Sequence, residues 1–176
     1  MAIKTIFLDR DGVINKEVGY LHKIEDFKFT EGIFDACLFF LRLDYQIIIV
    51  SNQSGISRGY YTEDDYKKLT LWMLNQFSLK NISILDSFHC PHGPDSECSC
   101  RKPMPGMLIA ARDKFNINMR KSWLIGDKET DIEAANRAGI ANTILVKSGH
   151  LINESNSNSK FIINSIRDSE NIIKKF

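Results

Sequence analysis

The stretch FLDRDGVIN, residues 7–15, ends an apolar run with two aspartates, Asp9 and Asp11, one residue apart. The run that leads into it, IKTIFL (3–8), is rich in β-branched residues and predicts a buried strand that stops where the acids begin. Two ionised carboxylates that converge repel each other, so a cation or a proton must compensate their charge. Asp11-Gly12 could form a simple hairpin turn, but no alternating strand follows it. We therefore expect the pair to carry chemistry.

The rest of the chain repeats this alternation of short apolar runs with helical patterns. Further buried strands are predicted at 45–51, 82–90, 122–127 and 142–149. Apolar residues three and four apart predict helices at 31–43, 62–79, 106–116 and 129–139. Thr62 supplies a helix start and Gly139 a helix stop, and the tail after 160 predicts an edge strand and a final helix. The pattern predicts an α/β fold: a doubly wound, mostly parallel sheet with helices on both faces.

Composition narrows the class of protein. A chain of 176 residues with 43% hydrophobic and 26% charged residues is typical of one globular domain, here predicted to span 1–176. The net charge of +1 without a long basic run argues against nucleic acid as a partner. The N-terminus lacks a signal-peptide layout, and no apolar run approaches the roughly 20 residues that span a membrane. We expect a soluble cytoplasmic protein that acts without a membrane, as a monomer.

Polar residues cluster where the predicted strands end. Besides the Asp9 pair, Ser51 and Asn52 end the second strand, Asp127 and Lys128 follow a later one, and Lys102 precedes a helix. In an open parallel sheet the carboxyl ends of the strands meet at one rim, where ligands bind. Carboxylates there suit Mg²⁺, and a lysine with a small hydroxyl suits phosphate oxygens. An aspartate can attack phosphorus, and a second acid can protonate the leaving oxygen and then activate water.

A second candidate site is the loop CPHGPDSECSC, residues 90–100. Its three thiols and one imidazole, from Cys90, His92, Cys98 and Cys100, form the closed tetrahedral set typical of structural zinc. Such a site would hold the residues that follow it, Arg101 and Lys102, in place. Cys37 stands alone in an apolar helix pattern and is interpreted as a buried small hydrophobe.

The segments DRDG, SNQSG, RKPMPG and GDKETD resemble the four motifs of the haloacid dehalogenase superfamily of phosphatases. The resemblance implies that Asp9 is the nucleophile and Asp11 the general acid/base. It also implies that Ser51 and Lys102 stabilise the phosphoryl group, with a magnesium site formed by Asp9, the backbone carbonyl of Asp11, and Asp127. Asp131 would support that metal site without binding the ion. The gaps 10–50 and 52–101 leave no room for the cap domain of many relatives, which predicts an open site.

The longer segments FLDRDGVIN, GYLHKIEDF, NQSGISRG and CPHG to KPMPGML are similar to the D-glycero-D-manno-heptose 1,7-bisphosphate 7-phosphatases. That resemblance implies hydrolysis of the 7-phosphate during the synthesis of heptose for surface polysaccharide, including lipopolysaccharide. The residues it implies for substrate binding are Glu17, Val18, Gly19, Tyr20, Ser51, Asn52, Gln53, Ser54, Arg101, Lys102 and Lys128.

Two alternatives stay open at this point. The loop between His92 and Cys98 holds few residues, which is closer to the histidinol-phosphate phosphatases of histidine biosynthesis. The chain could also be a zinc-organised binding module on an idle phosphatase fold, although such a module would be expected to lack Asp9 or Asp11.

Overall fold

The computed structural model describes residues 2–175 and shows alternating strands and helices. The strands are β1 (Thr5–Leu8), β2 (Gln46–Asn52), β3 (Asp86–Cys90), β4 (Trp123–Gly126), β5 (Asn142–Val146) and β6 (Phe161–Ile163). The helices are α1 (Ile33–Arg42), α2 (Glu63–Ser78), α3 (Gly106–Phe115), α4 (Glu129–Arg137) and α5 (Ser169–Ile173). All the predicted elements are present, including the edge strand and the last helix.

Several boundaries differ from the prediction: β5, for example, ends at Val146 instead of residue 149, and the largest difference is at the start of β3. β3 begins at Asp86 instead of residue 82, because the turn that closes α2 extends further along the chain. Asn81 has a left-handed backbone with φ of 59°, and the Ile82 N–H still donates to the Phe77 carbonyl at 3.0 Å. The apolar run therefore continues through a turn before the strand starts.

The six strands form one parallel sheet in the order β3-β2-β1-β4-β5-β6. The strand order reverses beside β1, where β2 lies on one side and β4 on the other. Ligands of open α/β sheets bind at this reversal, beyond the carboxyl ends of the strands. The Asp9 N–H donates to the Ile125 carbonyl at 3.0 Å, which brings the loops after β1 and β4 together at that point.

The sheet buries a separate apolar cluster on each face. Ile6 and Leu8 of β1 point to the face covered by α1, α2 and α5, whereas Phe7 points to the face covered by α3 and α4. Successive strand residues alternate between faces, so a strand buried on both sides must be apolar throughout, as β1 is. This confirms the predicted doubly wound arrangement.

The predicted helix signals at Thr62 and Gly139 are confirmed. The Thr62 hydroxyl accepts from the Asp65 N–H at 3.1 Å, and the Asp65 carboxylate accepts from the Thr62 N–H at 2.9 Å, which completes a capping box. Gly139 follows α4 with φ of 85°, a conformation that glycine adopts without strain. No helix within residues 2–175 combines the length and apolar character needed to cross a membrane.

Candidate active site

A cavity of about 440 Å³ opens at the carboxyl edge of the sheet, where the strand order reverses. The loops that follow β1, β2, β3 and β4 all contribute to its wall, and His150 lines it from beyond β5. Asp9 and Lys102 lie in its deepest part, with 7% and 4% of their surfaces exposed. The predicted convergence of these distant segments is therefore present in the structure.

Asp9 is paired with Lys102, which lies far from it in the sequence. The Lys102 ammonium donates to Asp9 Oδ1 at 2.7 Å, to Asp131 Oδ1 at 2.6 Å and to the Val50 carbonyl at 2.9 Å. Burial raises the pKa of Asp9, Lys102 lowers it, and the charges of Asp131 and Asp127 raise it again, so the net direction is upwards. One ammonium thus does not fully compensate the carboxylates around it.

Asp11 has a different cation, its own neighbour in the sequence. The Arg10 guanidinium is almost completely buried and donates from Nε and Nη2 to both Asp11 oxygens, with the shortest contact at 2.9 Å. The amides of Asn15 and Gln53 each donate to Asp11 at 3.0 Å. Burial alone would raise the pKa of Asp11, but the Arg10 charge and these hydrogen bonds hold it below its usual value. Arg10 thus compensates the charge of Asp11, a role that no motif in the sequence indicated.

The turn that separates the two aspartates requires a glycine. Gly12 has φ of 89°, and a Cβ atom there would lie 2.2 Å from Asp127 Oδ2. A side chain would therefore meet both backbone strain and a collision with the site. The glycine lets the β1 loop pass directly against the carboxylate that follows β4.

Asp127 lies behind the cavity wall and has unsatisfied bonding capacity. It is fully buried, and its Oδ1 atom has no hydrogen-bond partner within residues 2–175. Burial, and then the charge of Asp131, raises the pKa of Asp127 to about 7. Carboxylate oxygens of Asp9, Asp127 and Asp131 all lie within 4.8 Å of one another. An unpartnered buried oxygen among crowded carboxylates is an arrangement that a hard cation such as Mg²⁺ would satisfy.

Asp131 links these groups to the start of α4. One of its oxygens bonds to Lys102, and the other accepts from the backbone N–H groups of Asp127 at 3.2 Å and Lys128 at 3.1 Å. A carboxylate in the first turn also interacts favourably with the helix dipole. Its position fits the expected supporting role, because it holds Lys102 and the backbone that carries Asp127.

Three polar residues at the end of β2 contact protein groups. The Gln53 amide donates to Ser51 Oγ at 2.6 Å as well as to Asp11, and it accepts from the Tyr61 hydroxyl at 2.6 Å. Asn52 exchanges two 3.0 Å hydrogen bonds with the backbone of Lys102. Asn52 and Gln53 line the cavity, whereas Ser51 is buried beside it. Two of the amides expected to bind substrate therefore hold Asp11 and Lys102, which are expected to act in catalysis.

The predicted zinc ligands lie together. The ligand atoms of Cys90, His92, Cys98 and Cys100 are all within 4.8 Å of one another. Thiolates bound to zinc at about 2.3 Å stand about 3.8 Å apart, which matches the 3.7 Å between the Cys90 and Cys98 sulfurs. The Cys90 and Cys100 sulfurs are closer, at 2.8 Å, so zinc would separate them. The donor set fits zinc.

The same loop carries Arg101. Its Nη1 donates to the His92 carbonyl at 3.1 Å, and the Lys102 that follows it reaches into the cavity. Burial would raise the pKa of Cys98, but hydrogen bonds, first that from the Arg101 backbone, lower it to about 7. These contacts connect the cysteine loop to Arg101, and the role of zinc in holding Arg101 and Lys102 in place stays a prediction.

The mouth of the cavity is formed mainly by residues that are predicted to bind the substrate. Glu17, Gly19 and Tyr20 line one side, and Ser54, Arg101 and Lys128 line the others. Val18 does not line this cavity, and 54% of its surface is exposed. Its contact with the substrate therefore stays a prediction.

Three further residues of the site were not singled out in the sequence. His150 Nδ1 contacts Asp127 Oδ2 at 2.5 Å, Tyr61 bonds to Gln53, and Arg58 lines the mouth. Arg58 and Tyr61 stand within a few residues of the recognisable NQSG segment, which is the signal that could have indicated them. His150 lies in a polar loop with no distinguishing pattern around it.

Comparison with known proteins agrees with this site. Residues 99–169 match a family model described as HAD-hydrolase-like. The D,D-heptose 1,7-bisphosphate phosphatase of B. bronchiseptica, solved with magnesium and phosphate, superposes with a TM-score of 0.87 at 25% identity, covering 98% of this chain and 99% of that one. Fold and site together define a phosphatase of the haloacid dehalogenase superfamily.

Relatives of known name identify the family to which this chain belongs within the superfamily. The D-glycero-alpha-D-manno-heptose-1,7-bisphosphate 7-phosphatase of Photorhabdus laumondii is 51% identical over 164 residues, covering 89% of this chain and 90% of the relative. The corresponding beta enzyme of Vibrio cholerae is 42% identical over 176 residues, covering 96% and 95%. This chain belongs to the heptose-1,7-bisphosphate 7-phosphatase family.

Proposed function

We propose that this protein removes the 7-phosphate of D-glycero-D-manno-heptose 1,7-bisphosphate through an aspartyl-phosphate intermediate. The observation that carries the proposal is the separate compensation of the two aspartates: Lys102 pairs with Asp9, and Arg10 pairs with Asp11. Two adjacent carboxylates with different partners and opposite pKa shifts suit two different roles.

In the first step Asp9 acts as the nucleophile. Its Oδ1 is held by Lys102, so we assign the attack on phosphorus to Oδ2. The new oxygen–phosphorus bond forms as the bond to the sugar oxygen breaks, and Asp11 donates its proton to that leaving oxygen. Lys102 is placed to neutralise charge on the transferring phosphoryl group, which is the main requirement of this reaction.

In the second step Asp11 acts as the base. Water attacks the phosphorus of the aspartyl phosphate, Asp11 takes a proton from that water, and Asp9 leaves as a free carboxylate together with inorganic phosphate. The contacts from Arg10, Asn15 and Gln53 favour the ionised form of Asp11 that this step needs. The negative phosphate of an arriving substrate would raise the pKa of Asp11 and allow it to carry the proton for the first step.

Two metal ions complete the proposal. Asp9, Asp127 and the backbone carbonyl of Asp11 would hold Mg²⁺, which when bound supplies positive charge to the carboxylates and to the phosphate oxygens. Cys90, His92, Cys98 and Cys100 would hold zinc, with no vacant position for chemistry. We place the protein in the cytoplasm, since reduced thiols persist in that compartment and can bind zinc. We also propose that it is a single-domain monomer.

The relatives favour the heptose substrate over histidinol phosphate, which was the alternative suggested by the short cysteine loop. They also support the alpha anomer: two relatives named for it are 51% and 49% identical, whereas those named for the beta anomer are 38% to 42% identical. We therefore propose the alpha anomer as the preferred substrate.

The test measures phosphate release from both heptose bisphosphate anomers and from histidinol phosphate, with Mg²⁺ supplied. We expect the highest kcat/KM for the alpha anomer and loss of turnover in Asp9→Asn, which keeps the shape of the side chain but removes the nucleophile. A higher kcat/KM for histidinol phosphate would overturn the substrate, and turnover by Asp9→Asn at the wild-type rate would overturn the mechanism.

A further inference from the structure

We propose that Arg58 binds the phosphate that is not cleaved, and that it thereby selects a bisphosphate over a monophosphate. This inference rests on the proposed function, because it assigns a partner to the second phosphate of that substrate. Arg58 lines the cavity, and its side chain is at the exposed mouth, whereas Asp9 and Lys102 are buried at the base. A substrate whose one phosphate meets Asp9 would extend towards Arg58.

The charges of the cavity divide into an inner and an outer group. Inside, Lys102 and Arg10 are both paired with carboxylates at 2.6–2.9 Å. At the mouth, Arg58, Arg101 and Lys128 line the wall, and among residues 2–175 no carboxylate lies within ion-pairing distance of any of them. The outer cations therefore have their positive charge available for an anionic group of the substrate.

Arg58 contacts Tyr20, and the residue before it contacts the cysteine loop. Its guanidinium carbon lies 6.0 Å from the centre of the Tyr20 ring, and Tyr20 in turn packs edge-on against Tyr60 at 4.6 Å. On the other side, the N–H of Ser57 donates to the carbonyl of Pro91 in the cysteine loop at 3.3 Å. The segment thus connects the loop after β1 with the loop that carries Arg101.

Arg58 and Arg101 at the mouth of the cavity are suited to bind a phosphate group. A guanidinium presents a planar fork of donors that matches phosphate oxygens. A nearby aromatic ring attracts the guanidinium and favours some of its orientations before a ligand binds. Arg101 is held by the His92 carbonyl, so both arginines are oriented by neighbouring protein groups. A sugar monophosphate would leave this outer charge unused.

The experiment compares wild type, Arg58→Gln and Arg58→Lys on heptose 1,7-bisphosphate and on heptose 7-phosphate, which lacks the distal phosphate. For Arg58→Gln we expect kcat/KM on the bisphosphate to fall about tenfold to a hundredfold, mainly through KM. On the monophosphate we expect a change of less than about twofold. Arg58→Lys should lie between, because it keeps the charge but loses the fork.

Arg42→Gln is the matched control. Its guanidinium also lies beside an aromatic ring, 5.9 Å from the centre of Phe39, but outside the cavity, and both substrates should be unaffected. Equal losses on the two substrates in Arg58→Gln, or no loss on the bisphosphate, would overturn the assignment. A wild-type protein that hydrolyses neither sugar would instead overturn the proposed function, and the Arg58 assignment with it.

Discussion

Replacing Arg10 by methionine tests how the doubled aspartate is stabilised. Arg10 is 1% exposed and contacts both oxygens of Asp11, whose side chain is 19% exposed. Methionine fills much of the same space without charge, so Asp11 keeps its negative charge but loses its main partner. Breaking a buried ion pair in this way costs about 3–5 kcal/mol. Because Asp11 is partly exposed and keeps two amide donors, we expect a loss near the lower end, about 3 kcal/mol.

The loss should depend on pH in a defined direction. Burial would raise the pKa of Asp11, but Arg10 and the amide donors hold it below its usual value. A carboxyl whose pKa is lower in the folded protein stabilises the fold above its unfolded pKa of about 3.9, and this stabilisation is lost as pH falls through the folded pKa. The difference between wild type and Arg10→Met should therefore be largest above roughly pH 5 and shrink in more acidic solution.

The coupling between Arg10 and Asp11 is measured by urea unfolding at several pH values. The proteins compared are wild type, Arg10→Met, Asp11→Asn and the double variant. Arg112→Met is the matched control, because Arg112 also pairs with the next residue, Asp113, at 2.8 Å, but on the surface. Exposed pairs contribute about 0–1 kcal/mol. Equal losses in Arg10→Met and Arg112→Met, or additive effects of Arg10→Met and Asp11→Asn, would refute the reasoning.

Three further predictions concern other contacts. Cys98→Ser should bind less than one zinc per chain and lose turnover as the cysteine loop loosens, measured by metal analysis and phosphate release. Gly12→Ala should lower the free energy of unfolding by about 2–4 kcal/mol, because strain at φ of 89° adds to the collision with Asp127, measured in urea. Tyr61→Phe should reduce kcat several-fold with little change in KM, since Gln53 loses a 2.6 Å hydrogen bond worth about 1 kcal/mol.

Each of these has a control within the chain. Cys37→Ala removes a buried thiol outside the zinc loop and should leave the zinc content unchanged. Gly139→Ala has a similar φ of 85° with open space around it, so it isolates backbone strain from collision. Tyr60→Phe is the control for Tyr61→Phe, because it removes the hydroxyl of a neighbouring tyrosine that is 55% exposed. Full zinc content in Cys98→Ser, equal losses in the two glycine variants, or an unchanged kcat in Tyr61→Phe would contradict the corresponding contact.

Local patterns were sufficient for most of the secondary structure, and they indicated the three cysteines and the histidine that lie together. Strands buried on both faces must be apolar along their whole length, so β1 and β2 could be recognised directly in the sequence. Helix ends were also readable, because capping at Thr62 and Gly139 depends on residues within one turn. The start of β3 was misplaced because an apolar run does not distinguish a strand from a turn packed on the core.

The pair Asp9 and Asp11 shows which features of the site the sequence alone does not determine. The alternation of strands and helices, with polar residues at the strand ends, determined that Asp9, Lys102 and Asp127 would meet at one rim. Only the tertiary structure decided that Lys102 pairs with Asp9 and Arg10 with Asp11, and that Arg58 lines the cavity. Chain periodicity determines which edge of the sheet a residue reaches, whereas the direction of a side chain depends on turn geometry and on packing against groups distant in sequence.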